Sequence, residues 1–409
     1  MTTRTLSQLF ADVIRELAPT DDEYVPLLVN RILQFARQHR ASDVHLTPES
    51  GSVVMKWRID GVLQRVANFD QDLGSRLVAR TKVLAGLLTY RTDQPQEGRM
   101  TDEASESRLP AAETRVATFP TLYGERAAIR LFADTTRLQR LNDLHLPADI
   151  CSRLRQSLQQ TAGVVLLAGP SGSGKTTTIY ACLREILATA GESRSLMTLE
   201  DPIEQAVTGV TQSQVRPSVQ FDLAAGLRAM LRQDPDVIMV GEIRDIETAE
   251  QVFRAALTGH LVLTTFHAGS SAEAVARLVE LGIDPWLLRS TLGLIVCQRL
   301  IRETCGCRTT SSVSHEWNNL SDNQQESQDQ NLCDQCSGTG YRGRFVLGES
   351  LMPGSDSFAS GLLQRADTLT LQTIAKDEGM ITLADRAAEA VSAGRTTSEE
   401  IYRVLGRGH

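Results

Sequence analysis

The residue types between Gly169 and Thr177 are those that bind a triphosphate. The stretch reads Gly-Pro-Ser-Gly-Ser-Gly-Lys-Thr-Thr and fits the phosphate-loop pattern G-x-x-x-x-G-K-[ST]. Glycines let backbone N–H groups turn inward around phosphates, and a following helix adds the partial positive charge of its N-terminus. Lys175 would reach the β- and γ-phosphates, and the Thr176 hydroxyl would ligate Mg²⁺. The residues that we expect to bind nucleotide here are Gly169, Ser171, Gly172, Ser173, Gly174, Lys175, Thr176 and Thr177.

The segments on either side of this loop provide the context that the motif requires. Val164 to Ala168, before the loop, is a short apolar run typical of a buried parallel strand. Thr178 to Leu183, after the loop, has a spacing compatible with a helix. A strand before the glycines and a helix after them argue against an accidental match, so the sequence predicts a nucleotide site.

Two acidic segments follow the loop, each at the end of a predicted strand. Ser195 to Leu199 leads to Glu200 and then Glu204, and Val237 to Val240 leads to Glu242. In doubly wound sheets, ligands bind at the carboxyl ends of the strands. Acids at that place can orient water or hold Mg²⁺. Glu242 has the position of a Walker B acid, which binds Mg²⁺, usually through water.

Two histidines, His260 and His267, bracket a further predicted strand, Leu261 to Thr265. Taken singly, each of these features has an ordinary structural explanation. An acid after a strand is usually solvated, and a histidine near a strand end is more often a hydrogen-bonded packing residue. The order and spacing of the motifs behind one phosphate loop favour a nucleotide site over those explanations.

The composition of the whole chain is typical of a soluble globular protein. The chain has 409 residues, of which 41% are hydrophobic and 22% charged, and is long enough for two or three domains. Its net charge of −8 gives no support for wrapping nucleic acid. Its apolar runs are far shorter than the ~20 residues of a transmembrane helix, and no signal-peptide apolar region follows Met1. The unevenly clustered cysteines do not suggest a disulfide framework, so we expect a cytoplasmic protein.

Hydrophobic periodicity predicts a small α+β domain followed by a larger α/β domain. Leu6 to Leu17 carries an amphipathic helical stripe, which would be core or, less commonly, a docking face for a partner. Val53 to Ile59 alternates in a strand pattern before Asp60-Gly61, a hairpin signal. After residue 162, short apolar strands alternate with helical patterns, which predicts a mainly parallel sheet with helices on both faces. Further predicted elements of the first domain are a helix over Leu77 to Leu88 and strands over Thr114 to Thr118 and Arg126 to Phe132.

Composition also suggests where the domains begin and end. Arg308 to Leu332 is rich in Ser, Asn, Gln and Asp and has almost no apolar residues, so we expect a flexible insert there. The expected segments of the first half are an N-terminal helix at 1–22, an α+β domain at 23–135 and a linker with helical content at 136–162. They are followed by a phosphate-loop (P-loop) core at 163–300, a cysteine-containing segment at 301–348 with its flexible insert at 308–332, and a C-terminal helical region at 349–409.

Several separate motifs together resemble one family, the secretion ATPase superfamily that powers type II secretion and type IV pilus assembly, in particular its assembly or export branch. The resemblance covers roughly residues 25 to 405. The matching stretches of the motor domain are Gly169 to Thr177, Leu199 to Glu204 (the family's Asp box), Gln233 to Asp245 (its Walker B) and Thr258 to His267 (its His box). The matching stretches elsewhere are Arg58 to Gly61, Gln94 to Arg99, Arg115 to Leu131, and Cys333 to Cys336 with Gly338 to Arg344.

This resemblance implies a fold and an assembly. The fold would be α/β, with a RecA-like P-loop motor domain, a smaller N-terminal α+β (PAS-like) domain, and a small C-terminal cysteine module plus helices. The assembly would be a hexameric ring in which the N-terminal domain of each subunit closes over the nucleotide.

The resemblance also implies roles for residues outside the loop. Glu204 would polarise the attacking water, Glu242 would act on Mg²⁺, and Arg115 and Arg130 would neutralise developing phosphate charge. The alternative for both arginines is that they are ordinary charges on a strand face. The two histidines would sense the state of the phosphates and contact the neighbouring subunit rather than transfer a proton. The expected catalytic residues are therefore Lys175, Glu204, Glu242, Arg115, Arg130 and His267, with Glu200 and His260 as further nucleotide contacts.

The cysteine module implies a zinc site with one irregular feature. The family usually offers two C-x-x-C pairs, but here Cys305 and Cys307 are separated by a single residue, while Cys333 and Cys336 are regular. Tetrahedral zinc needs four thiolates at about 2.3 Å, so the backbone of the shorter pair must adapt. Cys297 is another candidate ligand, although its apolar, helix-like surroundings favour a core position. We expect Zn²⁺ on these four cysteines, with reduced free thiols as the alternative; Cys151 and Cys182 should be buried small residues.

The expected function is an ATP-driven motor that uses Mg²⁺ and moves a membrane-embedded platform. Its expected partners are an inner-membrane platform protein and further copies of the chain in a homohexamer, without nucleic acid. We expect it in the cytoplasm, peripheral to the inner membrane through its partners alone. The alternatives are a pilus retraction motor, which the cysteine module disfavours, a catalytically weak nucleotide-binding scaffold, and a nucleic-acid motor, which the acidic balance of the chain disfavours. Intact Lys175, Thr176, Glu204 and Glu242 argue against the scaffold.

Overall fold

The computed structural model describes residues 5–15, 17, 23–100, 114–131, 139–308, 333 and 335–406. The chain divides into two compact units. The first combines Met1–Thr135 with Thr304–Gly343, and the second combines Thr136–Glu303 with Arg344–His409. The flexible insert expected at 308–332 lies, apart from Arg308, outside the described residues. Among the described residues, no helix combines the length and the apolar character needed to cross a bilayer.

The first unit is built on a six-stranded sheet. Its strands are β1 (Ala41–Glu49), β2 (Ser52–Ile59), β3 (Val62–Asp70), β4 (Gln96–Met100), β5 (Thr114–Thr121) and β6 (Gly124–Arg130). They are antiparallel neighbours in the order β3-β2-β1-β6-β5-β4. The predicted hairpin joins β2 to β3 through Asp60 and Gly61, whose φ values of 48° and 86° suit a tight turn.

Three described helices pack against this sheet. They are α1 (Leu6–Ile14), α2 (Tyr24–Gln38) and α3 (Gln71–Leu84). The apolar stripe of α1 packs against the core of this unit. Phe10 is 1% exposed, and its ring centroid lies 5.9 Å from that of Trp57. The helix predicted over Leu77 to Leu88 is wrong at both ends. Helix α3 begins after Asp70, whose side chain caps the first turn, and ends before Gly86, which has a φ of 67°.

The second unit is built on a mainly parallel sheet of seven strands. The strands are β7 (Gly163–Ala168), β8 (Leu196–Glu200), β9 (Thr211–Gln214), β10 (Val237–Val240), β11 (Leu261–Phe266), β12 (Leu292–Thr304) and β13 (Tyr341–Leu351). Their order is β13-β12-β7-β11-β10-β8-β9, and all pairings from β12 to β9 are parallel. Both faces of β7 are buried, since Val164, Val165, Leu166 and Leu167 are at most 2% exposed. A parallel sheet covered on both faces has this pattern, and the predicted α/β class is confirmed.

Helices connect and cover these strands. They are α4 (Ala148–Leu158), α5 (Lys175–Ala190), α6 (Leu223–Met230), α7 (Ile246–Leu257), α8 (Ser271–Glu280) and α9 (Pro285–Thr291). Leu154 of α4, Leu183 of α5 and Val165 of β7 belong to one core cluster. Because α5 follows the phosphate loop directly, its N-terminus opens at the carboxyl edge of the sheet.

The chain ends in a group of short helices that are tied to the sheet. These are α10 (Asp356–Leu363), α11 (Thr368–Asp377), α12 (Leu383–Ser392) and α13 (Ser398–Leu405). Glu349 on β13 is 1% exposed and accepts hydrogen bonds from the backbone N–H groups of Ser271 and Leu383, at 2.6 and 2.9 Å. Those residues begin α8 and α12, so one buried carboxylate caps two helices.

Cys297 lies on β12 and not in the predicted helical stretch. The reason is that a short apolar run fits either element, and periodicity alone does not separate them. Its complete burial agrees with the expected core position, and Cys151 and Cys182 are buried as well.

Candidate nucleotide-binding site

The phosphate loop joins β7 to α5 in a backbone conformation that glycine adopts most readily. Gly169, Gly172 and Gly174 have φ values of 145°, 74° and 90°. A Cβ at Gly169 would lie 2.6 Å from the backbone oxygen of Gln298 and 2.6 Å from Ser173 Oγ. Gly174 is the N-cap of α5, so the N–H groups of the first helical turn open into the loop. Such a cradle of backbone donors suits phosphate oxygens.

A buried glutamine holds this loop from β12. Gln298 is 0% exposed; its Nε2 donates to the backbone oxygen of Ser173 at 2.8 Å, and its Oε1 accepts from Thr178 Oγ1 at 3.1 Å. Ser173 precedes the N-cap of α5 and Thr178 lies in its first turn. The Gln298 side chain therefore holds the backbone on both sides of the junction between the loop and the helix. Gln298 was not predicted from the sequence. A glutamine directly after the apolar run at 294–297 is the pattern that could have indicated it.

Lys175 lies inside the loop. Its Nζ donates to the backbone oxygens of Gly169 and Pro170 at 2.8 and 2.9 Å, and the residue is buried. Burial lowers the pKa of Lys175, and the nearby Glu242 carboxylate acts in the opposite direction. Ser173 Oγ is buried and has no hydrogen-bond partner among the described residues. An enclosed ammonium group and an unpartnered hydroxyl beside a helix N-terminus fit phosphate oxygens as their partners.

Glu242 and His267 meet at the same edge of the sheet. Glu242 follows β10, His267 follows β11, and His267 Nε2 lies 3.1 Å from Glu242 Oε1. Arg244 Nε lies 3.5 Å from the same oxygen, and its Nη1 lies 3.4 Å from Asp201 Oδ2. Strands β7, β11 and β10 are parallel neighbours, so the loop lysine, the His-box histidine and the Walker B acid, which follow them, lie at the same edge of the sheet. Arg244 is a further member of this site that sequence reasoning did not single out.

The two glutamates of the Asp box have different surroundings. Glu200, at the end of β8, is 2% exposed. Its carboxylate accepts from Thr198 Oγ1 at 2.6 Å, from Gln212 Nε2 at 3.0 Å and from the hydroxyl of Tyr180. Both of its oxygens are therefore engaged within the protein, and a contact of Glu200 with nucleotide stays a prediction. Glu204 lies beyond the strand with an exposed side chain.

His260 lies at the opposite edge of this sheet from the phosphate loop. Its Nδ1 is 2.9 Å from the backbone oxygen of Ala255, and its own backbone oxygen accepts from Gly163 N, at the start of β7, at 3.1 Å. Because β7 and β11 are parallel, the length of a strand, about 20 Å, separates His260 from the loop of its own chain. A role of His260 in nucleotide binding stays a prediction, and it would involve the nucleotide of another subunit.

Arg115 and Arg130 belong to the first unit, where they face each other on β5 and β6. Arg99 faces Arg115 on β4, and Asp43 faces Arg130 on β1 with 3.4 Å between Oδ1 and Nε. Like charges on directly opposite residues destabilise a sheet. A cross-strand row of three arginines therefore supports a role in binding anions over that of ordinary strand-face charges, and this role stays a prediction.

The four cysteines of the module come together despite the short spacing of the first pair. Cys305 Sγ lies 3.9 Å from Cys333 Sγ, Cys307 Sγ lies 3.6 Å from Cys336 Sγ, and all four sulfurs lie within 4.8 Å of one another. Tetrahedral zinc with Zn–S bonds of about 2.3 Å places its sulfurs about 3.8 Å apart, so the cluster fits this ion. Backbone hydrogen bonds from Gln335 and Cys336 lower the pKa of Cys333 to about 7, whereas desolvation raises the pKa of Cys305 and that of Cys307.

The fold and this site together define a class of protein. A mainly parallel sheet carries a phosphate loop after β7, with acids after β8 and β10, and ligands of such sheets bind at this edge. Lys175 and Glu242 occupy the positions of the loop lysine and the Walker B acid. The protein is therefore a P-loop nucleotide hydrolase.

More closely, the chain belongs to the family of type II/IV secretion system proteins, whose model matches residues 18–403. It is 37% identical to the type II secretion system protein E of Dickeya dadantii, over 98% of this chain and 79% of that protein. It is 34% identical to the type IV pilus assembly ATPase TfpB of Acinetobacter baylyi, over 94% of this chain and 66% of that protein. Membership of this family makes the chain an ATPase.

Two solved structures share the fold. The ATPase DotB of Legionella pneumophila has a TM-score of 0.68 at 21% identity, covering 96% of this chain and 99% of its own. The pilus retraction motor PilT with bound ADP has a TM-score of 0.59 at 25% identity, covering 91% of this chain and 95% of its own. The predicted architecture, a RecA-like motor with a smaller N-terminal domain, is confirmed.

Lys175→Ala should abolish ATP hydrolysis and weaken nucleotide binding. The change removes the ammonium group that the loop encloses, and loss of one preorganised donor to a reacting group typically costs about 10²–10³ in rate. Phosphate release and titration with a fluorescent ATP analogue measure the two effects. Lys376→Ala, which removes an exposed lysine paired with Asp385, is the matched control and should behave as wild type. Unchanged turnover in Lys175→Ala would refute the phosphate-loop assignment.

Purified protein should contain about one zinc per chain, because the four sulfurs are spaced for a tetrahedral ion. Elemental analysis should show loss of the metal in Cys333→Ser/Cys336→Ser and its retention in Cys151→Ala, which removes a buried thiol elsewhere. Absence of zinc from the wild-type protein would leave the cluster as free thiols.

Proposed function

We propose that this chain is a subunit of a homohexameric ring that hydrolyses Mg·ATP to power type II secretion or type IV pilus assembly. It acts on a platform protein at the cytoplasmic face of the inner membrane, and only that partner holds it there. The observation that most supports this proposal is the single site formed by Lys175, Glu242 and His267 behind an intact phosphate loop. The names of the relatives, for type II secretion and for type IV pilus assembly, support the choice of process.

Residues of the loop and its neighbouring strands hold the nucleotide. The backbone N–H groups of the loop and the Lys175 ammonium bind the phosphates, and Thr176 and Glu242 would hold Mg²⁺. When bound, this ion neutralises negative charge on the phosphate oxygens. Glu204 polarises the water that attacks the terminal phosphate. Its exposed carboxylate is available for that task, whereas the carboxylate of Glu200 is engaged by three protein donors.

Arginines and histidines away from the loop have further roles in this proposal. Arg115 and Arg130 neutralise charge that develops on the phosphates, an effect worth about 10³–10⁵ in rate when an arginine is well placed. His267, paired with Glu242, responds to the state of the phosphates. A strand's length separates His260 from the loop of its own chain, and its role in this proposal is to contact the neighbouring subunit.

A pilus retraction motor is the second candidate function, since the fold also matches the retraction motor PilT. The identities of 37% and 34% with relatives named for secretion and pilus assembly exceed the 25% with PilT and favour the assembly branch. Intact Lys175 and Glu242 within one site disfavour a catalytically weak scaffold.

Glu204→Gln should bind ATP with near wild-type affinity yet hydrolyse it at least about 100-fold more slowly, because an amide is a far weaker proton acceptor than a carboxylate. Single-turnover phosphate release and analogue binding separate the two effects. Glu280→Gln, on the exposed surface at the end of α8, is the matched control. A near-normal rate in Glu204→Gln would assign the catalytic role to another residue.

ATP turnover per subunit should rise with protein concentration as hexamers form, because the active site of the proposed ring needs an adjoining subunit. Light scattering recorded on the same samples gives the mass of the species present. Full activity of a monomer at every concentration would contradict assembly-dependent catalysis and, with it, the ring mechanism.

A further inference from the structure

Tyr180 is a buried residue of α5 that none of the roles above uses. It lies one and a half turns past Lys175 and is 3% exposed, in the core shared by α5 and the sheet. Its hydroxyl, the polar end of an otherwise apolar ring, reaches the end of β8, where the Asp box begins. Its side chain therefore spans the distance between the helix of the phosphate loop and the segment that carries Glu204.

The hydroxyl of Tyr180 has its hydrogen-bonding capacity fully engaged. It donates to Glu200 Oε2 and accepts from the backbone N–H groups of Glu204 at 3.2 Å and Gln205 at 3.4 Å. Burial and the hydrogen bond to Glu200 raise the pKa of Tyr180, so the phenol keeps its proton at neutral pH and remains a donor.

The remaining contacts of Glu200 fix this arrangement in the interior. Thr198 and Gln212 donate to its carboxylate at 2.6 and 3.0 Å. Gln212 also accepts from the backbone N–H of Val207 at 2.6 Å. The backbone from Glu204 to Val207 is thus held at its start by the phenol and at its end by the amide of Gln212. A buried network with this many satisfied members is rigid.

We propose that Tyr180 is a positioning residue that sets Glu204 at a fixed place relative to the phosphate loop. The proposal rests on the proposed role of Glu204 in hydrolysis. One rigid helix, α5, carries Lys175 and Thr176 at its N-terminus and holds the backbone of Glu204 through the Tyr180 hydroxyl. The helix therefore fixes both the phosphate ligands and the water-polarising acid. This matters because a misplacement of about 1 Å can cost about 100-fold in rate.

Tyr180→Phe removes the hydroxyl and keeps the packed ring. We expect kcat to fall about ten- to hundred-fold, while the Kd of a non-hydrolysable ATP analogue stays within about three-fold of wild type. A role confined to nucleotide binding would change the Kd instead. Tyr90→Phe, at a tyrosine that is 76% exposed, is the matched control and should keep wild-type values for both. A wild-type kcat in Tyr180→Phe would overturn the proposal.

A double-mutant cycle distinguishes positioning from a general weakening of the fold. If Tyr180 acts through Glu204, Tyr180→Phe should add less than about two-fold to the loss of single-turnover rate that Glu204→Gln causes. A full additional loss in the Glu204→Gln background would overturn the proposal and leave the role of Glu204 standing. Normal turnover by Glu204→Gln alone would refute the catalytic role of Glu204 itself, whatever Tyr180→Phe does.

Hydrogen exchange tests the contact in the wild-type protein, even if the variant does not fold. We expect slow exchange of the Glu204 and Gln205 amides in a peptide that covers residues 201–207, because both are hydrogen-bonded to a buried phenol. In a folded Tyr180→Phe protein the same peptide should exchange faster, with the peptides of β7 unchanged. Unprotected exchange in wild type would show that the contact is not made and would overturn the proposal.

Discussion

The phosphate loop depends on contacts that come from outside it. Its three positive-φ glycines aim backbone donors inward, and neither a helix nor a strand ladder can satisfy such a segment. Strand β12, the neighbour of β7, supplies the support through Gln298, which bonds both the loop and the first turn of α5. The next residue, Arg299, donates to the backbone oxygen of Gly269 at 2.7 Å, just beyond His267. Strand β12 therefore holds both the phosphate loop, which contains Lys175, and the segment that follows His267.

The glutamates of the second unit divide according to burial. Glu200, Glu349 and Glu400 are at most 2% exposed, and each accepts several hydrogen bonds within the protein. A buried carboxylate requires such donors, because its desolvation is otherwise too costly. Glu204 is exposed and Glu242 half-buried, so their charge remains available to water, metal or nucleotide. In this unit, burial separates carboxylates that hold the fold from those that can take part in chemistry.

Features that depend on contiguous residues could be predicted from the sequence. Features that depend on contacts between residues far apart in the chain could not. The loop, the strand before it and the helix after it follow from one short stretch, and the parallel sheet follows from alternating patterns. The role of Gln298 in supporting the loop was not predicted, because its hydrogen-bond partners lie more than a hundred residues away in sequence. The difference in burial between Glu200 and Glu204 was also not predicted, because it depends on which side chains pack against β8. The four cysteines meet although their spacing is irregular, because the fold and not the C-x-C motif alone brings the pairs together.

The carboxylate of Glu349 links the end of the chain to the motor core. It caps α8, which begins shortly after His267, and α12, which lies near the C-terminus. Detachment of α12 would leave that buried charge with half of its donors and would weaken the start of α8 in the same event. The C-terminal helices are therefore not a separable appendage. The C-terminal helices and α8 form one cooperative unit, so local unfolding of α12 would also destabilise the start of α8, close to His267.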